Sequence, residues 1–219
     1  FMQTLDGTIL NTALPSMAEA LGESPLQMQS VIIAYMLTVA LLIPASGWLA
    51  DRLGARRVYL AAILLFTLGS LACAAANTLP MLVAARVLQG VGGALLMPIG
   101  RLAVLRVYSK HELLRVMSFV TIPGLLGPLM GPALGGWLVE VASWHWVFLI
   151  NLPVGVLGFI ASWYFMPDLR QHTARFDWQG FVLFSVGMVL VSVGLQGLGE
   201  HSISTGWALF ALLFGLAAM

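Results

Sequence analysis

Charge is the scarcest thing in this sequence: 10 lysines and arginines and 9 aspartates and glutamates among 219 residues, a net of +1. That sum says nothing about nucleic acid, the placement of the charges matters more, and no nucleic-acid partner is expected. Cysteine is nearly absent as well. The single Cys73 excludes a disulfide framework and any metal-ligand spacing, and it reads as a small apolar packing residue. The signatures of soluble catalysis are missing too. There is no Gly-x-Ser-x-Gly, no His-Glu-x-x-His and no pair of carboxylates at catalytic spacing. The glycine-rich stretches are not phosphate loops, because no Gly-Lys-Ser/Thr follows them. No enzymatic activity, metal or cofactor is expected.

What fills the chain is hydrocarbon. Hydrophobic residues make up 60% and the mean hydropathy is +0.95, far from the range of soluble domains. The fold class is therefore an all-α polytopic membrane protein. A span needs about 20 apolar residues. The first covers 1–17 and carries Asp6 and Asn11; the others cover roughly 29–49, 58–76, 79–100, 116–139, 146–166 and 178–198, and an eighth starts near Thr205. Phe1 begins inside one apolar stretch and Met219 ends inside another, so the chain reads as a fragment truncated at both ends.

The few charges fix an orientation. Arg52, Arg56 and Arg57 follow the second span, Arg101, Arg106, Lys110 and Arg115 the fourth, and Arg170 and Arg175 the sixth. The alternate loops hold Glu19, Glu23, Glu140 and Glu200 and no Lys or Arg. Cationic loops stay in the cytoplasm, which puts the N-terminus inside. Trp144, Trp146, Trp163, Trp178 and Trp207 fall near the expected interfaces, as an aromatic belt does. Spans one to three and four to six then run in opposite senses, as an inverted three-plus-three repeat requires.

Arg86 breaks the hydrocarbon pattern inside the fourth span. A charge at bilayer depth costs about 2.5–3.5 kcal/mol on insertion scales, so it needs a use. Arg86, Gln89, Gly90 and Gly93 recur at i, i+3, i+4 and i+7, one small and polar face suited to meeting another helix. Asp6 occupies the corresponding helix of the repeat. At 1.5 Å per residue it lies about 20 Å below Glu19, and Arg86 about 12 Å below Thr78, within reach of an arginine once helices tilt. Burial favours a neutral carboxyl and a nearby cation favours an ionised one. An aspartate whose distance to an arginine changes with conformation is thus suited to proton coupling; the alternative is a static structural pair or a snorkelling arginine.

Two glycine-rich stretches complete the pattern. At one cytoplasmic hairpin, Gly47 permits close helix approach, Gly54 supplies a positive φ, and Asp51 stands to be held by Arg52, Arg56 and Arg57 or by helix N-termini of a partner bundle. In the fifth span Gly127, Gly131 and Gly135 recur every four residues, and so do Gly124, Pro128, Pro132 and Gly136. Pro128 and Pro132 free the carbonyls of Gly124 and Pro128 and bend the helix, which must therefore line an interface or cavity inside the bundle. Asn151 and Asn11 are candidates for substrate or inter-helix contacts. His145, between Trp144 and Trp146, reads as an interfacial residue, with a proton relay as the alternative. Eleven methionines suit an adaptable apolar cavity.

These stretches resemble known ones. Gly47–Arg57 is similar to the signature hairpin of the major facilitator superfamily, and Arg86–Gly93 to that superfamily's fourth-helix motif, implicated in proton transfer. Gly124–Gly136 resembles its fifth-helix antiporter motif, associated with export. Leu5-Asp6-Gly7-Thr8-Ile9-Leu10-Asn11-Thr12-Ala13-Leu14-Pro15 resembles the first-helix signature of the fourteen-span drug:proton antiporters, with Gly7 as a departure that loosens the local backbone. The resemblance implies an N-terminal six-helix bundle over 1–166, a cytoplasmic loop over 167–177, and over 178–219 a seventh span and part of an eighth leading to a C-terminal bundle. It implies a monomeric, multi-pass protein of the bacterial inner membrane, driven by the proton gradient and without a cofactor. Its partners would be protons, a small-molecule substrate and the lipid bilayer. Export of amphipathic drug-like compounds by alternating access is the expected function. Export of a particular metabolite (an amino acid, organic acid or siderophore) and a non-transporting membrane sensor with this fold are the alternatives.

Overall fold

A computed structural model describes residues 1–170, 175–200 and 204–218, so 171–174 of the expected 167–177 loop, residues 201–203 and Met219 lie outside the described residues. The Glu200 side chain, one of the charges assigned to the external loops, lies outside them too. The described elements are all helical: α1 Met2–Leu21, α2 Pro25–Leu53, α3 Ala55–Ala74, α4 Leu79–Val107, α5 Lys110–Val141, α6 Trp146–Leu149, α7 Asn151–Phe165, α8 Trp178–Glu200 and α9 Thr205–Ala218. Among the described residues six helical stretches are long and apolar enough to cross a membrane, with α6 and α7 together forming one of them. Neither α1 nor α9 is in that set. Asp6 and Glu19, with Gln3, Thr4, Thr8, Asn11 and Thr12 between and around them, make α1 the most polar of the long helices.

Short polar signals set the ends. Ser24 and Gln27 form a reciprocal capping box at the start of α2, with Pro25 behind the cap, and Thr78 accepts from the Met81 N–H at the start of α4. Gly22 ends α1 at φ 69°, and Gly54 turns α2 into α3 at φ 95°. α2, α4 and α5 overrun the apolar windows read from sequence, because polar and cationic residues continue them past the hydrocarbon, whereas α3 and α7 end one or two residues short of theirs. Three prolines inside α5 do not interrupt its helical run from Lys110 to Val141.

Packing follows the small residues. α4 lies between α2 and α3, α1 runs along α5, α7 packs on α3, and α8 contacts α2 and α9. One apolar core gathers Leu5, Ile9, Met17, Met28, Leu82 and Phe148, and a second gathers Ala62, Ile63, Phe66, Leu95 and Ile99. The outward surface is the reverse of a water-soluble one. Leu114, Leu129, Tyr164 and Phe165 each expose three-quarters or more of their area, as residues facing lipid do.

Candidate functional site

Five helices deliver polar groups to one buried point. From α1 comes Asp6, from α4 Arg86 and Gln89, from α3 Ser70, from α7 Asn151, and from α2 the Val31 carbonyl and the Tyr35 ring. None of Asp6, Arg86, Gln89, Ser70 and Asn151 exposes more than 1% of its area. Arg86 Nη1 donates to Asp6 Oδ2 at 2.6 Å and to Gln89 Oε1 at 2.6 Å, and Nε donates to the Val31 carbonyl at 3.3 Å. Gln89 Nε2 donates to Asp6 Oδ1 and to Ser70 Oγ, both at 2.8 Å. Asn151 Nδ2 reaches the same two oxygens at 3.1 and 3.3 Å. The guanidinium lies 4.1 Å from the Tyr35 ring centroid, and the Phe148 ring is 6.0 Å away.

The sequence explains how so many groups meet. Gly69 lets α3 close on α4: a Cβ there would stand 2.5 Å from Gln89 Cα. Gly90 and Gly93 do the same toward α2, where a Cβ would meet Thr38 Cβ at 2.8 Å and the Tyr35 hydroxyl at 2.7 Å. The small face of α4 therefore meets α2, and its arginine crosses to α1. The offset in depth read from residue counts is bridged completely, since Asp6 and Arg86 touch. A buried pair gains its Coulomb attraction against a large desolvation cost, and extra hydrogen bonds are what tip the balance. Asp6 here accepts three.

Ser70 and Tyr35 were not singled out by the sequence reading, although a serine next to a mid-span glycine was a visible signal. Cys73, expected as inert packing, is buried with its Sγ 3.7 Å from Gln89 Oε1. Asn151 joins the site, whereas Asn11 is exposed on α1 and makes no contact with it. The i+4 spacing from Gly7 explains this, for that face of α1 turns away from Arg86. A Cβ at Gly7 would meet nothing within 4 Å, and the helix is regular there.

The fifth helix separates its two rows of small residues. Gly127, Gly131 and Gly135 are buried against Thr4, Thr8 and Thr12 of α1, a ladder of threonines at the same four-residue spacing. A Cβ would stand 2.7 Å from the Leu5 nitrogen at Gly127, 2.9 Å from Thr8 Cβ at Gly131, and 2.7 Å from the Ile9 carbonyl at Gly135. Gly124 and Gly136 make no close approach, and Pro128 and Pro132 are exposed. Gly124 and Pro128, the residues with freed carbonyls, border a cavity of about 530 Å³ shared with Gln3, Tyr59, Leu96 and Gly155.

At the α2–α3 hairpin Asp51 pairs with Arg106 at the end of α4, at 2.5 Å, and not with its own hairpin's arginines. Arg52 stacks on Trp48 at 5.0 Å, Arg56 donates to the Trp163 carbonyl, and Arg57 is exposed. The cause is direction: Arg52 adjoins Asp51 and so points to a different face of the helix, and Arg56 and Arg57 belong to the next helix. Gly54 adopts its expected positive φ, against Asp168 and Arg170. Gly47 has nothing within 4 Å of a would-be Cβ, so no helix uses it for close approach. His145 stacks on Trp144 with centroids 3.7 Å apart, outside the buried site, and partial burial pushes its imidazole below the ordinary range. Among the described residues no group of three or more His, Cys, Asp or Glu is placed to hold a metal.

Residues 1–219, the whole chain, match the model of the Major Facilitator Superfamily. The chain belongs to that family. As a member of this transporter family it is classed with carriers and not with enzymes. It is 57% identical over 223 residues to "Putative multidrug resistance protein MdtD" of Pectobacterium carotovorum subsp. carotovorum (strain PC1), a match covering all of this chain and 47% of that protein. It is 55% identical over 219 residues to the protein of the same title from Serratia proteamaculans (strain 568), covering all of this chain and 46% of that protein. The chain thus spans about half the length of the curated relatives it matches. Among solved structures, a mutant of the peptide transporter POT in complex with sulfate superposes with a TM-score of 0.66 at 20% identity, over 97% of this chain and 47% of that one. An auto-inhibited POT-family peptide transporter gives 0.61 at 14%, over 98% and 50%. At these identities the two share the fold.

Proposed function

We propose that the protein is, in its full-length form, a proton-coupled exporter of amphipathic drug-like compounds in the bacterial inner membrane, working by alternating access as a monomer with its N-terminus in the cytoplasm. The observation that carries this is the Asp6–Arg86 pair, a carboxylate within 2.6 Å of a guanidinium at the convergence of five helices. Asp6 takes the proton and Arg86 is its counter-charge. Protonation removes the anion from the pair, so the free energy of the helices around it differs between the two protonation states. Residues 1–166 act as one bundle, 167–177 as its cytoplasmic loop and 178–219 as the start of the connection to a second bundle. The pairing of α1 with α5 and of α2 with α4 supports an inverted three-plus-three repeat, since exchanging the two halves converts one pair into the other.

The other motifs fit this reading. Asp51 and Arg106, with Gly54 against Asp168, tie the cytoplasmic ends of α2, α3, α4 and the 167–170 stretch into a latch. Arg52, Arg56 and Arg57 surround it and Gly47 flanks it. The threonine–glycine seam between α1 and α5 presents few bulky side chains that would resist sliding, and Pro128 and Pro132 soften α5 beside it. The driving force is adequate. One pH unit supplies about 1.36 kcal/mol and 100 mV about 2.3 kcal/mol, enough for one proton to hold a gradient of a few hundred-fold in a neutral substrate.

The test is Asp6→Asn in the full-length protein reconstituted into vesicles. Efflux driven by a pH gradient is expected to vanish, while exchange of substrate down its own gradient persists. Undiminished ΔpH-driven efflux would overturn the coupling role.

A further inference from the structure

Two polar atoms of the buried site have no hydrogen-bond partner, the Tyr35 hydroxyl beside the guanidinium and Asn151 Oδ1 beside Asp6. Asn151 Oδ1 is fully enclosed and has no hydrogen-bond partner, although its Nδ2 donates to both Asp6 and Ser70. A buried polar atom left unpaired costs roughly 1–3 kcal/mol, so an idle acceptor on an amide that donates to Asp6 calls for a reason.

Protonating Asp6 supplies one. Of its two carboxylate oxygens, Oδ2 faces the guanidinium at 2.6 Å, and Oδ1 faces only the neutral amides of Gln89 and Asn151. The proton belongs on Oδ1, away from the cation. There, however, it confronts two N–H donors. One amide must turn to present its oxygen, and the two are not equally free. Gln89 Oε1 is held by Arg86 at 2.6 Å, so turning Gln89 would strip the guanidinium of an acceptor at the moment its carboxylate is neutralised. Asn151 forfeits only its 3.1 and 3.3 Å donations, and its oxygen is unused.

We propose that Asn151 is a positioning residue for the proton: on protonation of Asp6 its side-chain amide turns over, and its idle Oδ1 accepts the hydrogen bond from the new Asp6 Oδ1–H. The proton comes from hydronium, whose O–H bond breaks to leave water as the Asp6 O–H bond forms, and Arg86 stays where it is. Its hydrogen bonds to Gln89 Oε1 and the Val31 carbonyl, with the Tyr35 face 4.1 Å away, continue to support the charge. The ionisable groups facing Asp6 are Arg86 from α4, Tyr35 from α2 and Cys73 from α3. α6 brings none, α5 has none between Val116 and Val139, and the only one on α7, Tyr164, is exposed at its far end. Of the two amides on that side, Asn151 is therefore the one that can answer the proton without releasing Arg86.

This inference rests on Asp6 being the proton site, and infrared difference spectroscopy of the full-length protein separates the two claims. On acidification a protonated-carboxyl C=O band should appear that is missing from Asp6→Asn. In Asn151→Leu, where the O–H loses its acceptor and water is excluded, that band should move to higher wavenumber. A second readout avoids that substitution: with isotope-labelled asparagine, an amide C=O band should shift with the same pH midpoint as the carboxyl band and be lost in Asn151→Gln. No carboxyl band assignable to Asp6 would overturn the proton site itself. A carboxyl band indifferent to Asn151→Leu, or a labelled amide band that does not follow the carboxyl, would overturn the role of Asn151 and leave Asp6 in place.

Discussion

Arg86 spends its charge on four groups at once, and that sets what its loss would do. Removing one partner of a buried ion pair leaves the other uncompensated, at a cost of about 3–5 kcal/mol. Arg86→Leu is therefore expected to lower the thermal unfolding temperature of the full-length protein in detergent markedly. Asp6→Asn combined with Arg86→Leu should recover part of that loss, because no carboxylate is then stranded. If the double variant is no more stable than Arg86→Leu, the two side chains are not a mutually dependent pair. At this scale the sequence was a good guide. An arginine and an aspartate in apolar spans are conspicuous because hydrocarbon makes them costly, and Asn151 stood out for the same reason. Ser70 and Tyr35 did not, since a hydroxyl is tolerated almost anywhere on a helix and only the fold shows which one meets a charge.

At the scale of elements the seam between α1 and α5 decides the geometry. Gly131 has no room for a side chain against Thr8, so Gly131→Val should prise the two helices apart. Lower thermal stability and lost transport are the expected outcomes. Gly136 faces open space, and Gly136→Ala should leave thermal stability unchanged or raise it by up to about 1 kcal/mol through better helix propensity. Equal destabilisation by both would mean that the rows are not distinguished by packing. Glycine periodicity in α5 was legible in the sequence, but which of two parallel rows would be buried was not. Both repeat every four residues, and the choice depends on the matching threonines of a helix more than a hundred residues earlier. The Asp51–Arg106 pair was hidden for a similar reason: its partner comes from another hairpin.

Over the whole molecule, the separation of charge predicts the sidedness. A membrane-impermeant maleimide applied to intact cells should label Glu140→Cys and spare Lys110→Cys, with the buried Cys73 silent in both. The reverse pattern would invert the topology and with it the direction of export. Long apolar runs made the spans readable, because hydrocarbon admits few alternatives to a helix. The way five helices surround one ion pair was not readable, since it depends on tertiary contacts among small residues. In the proposed mechanism Asp6 exchanges a proton when substrate binds. The most direct measurement is the pH change on adding a transported drug to the full-length protein in weakly buffered detergent solution. The account predicts proton release from the wild type and none from Asp6→Asn; release of equal size from both would contradict it.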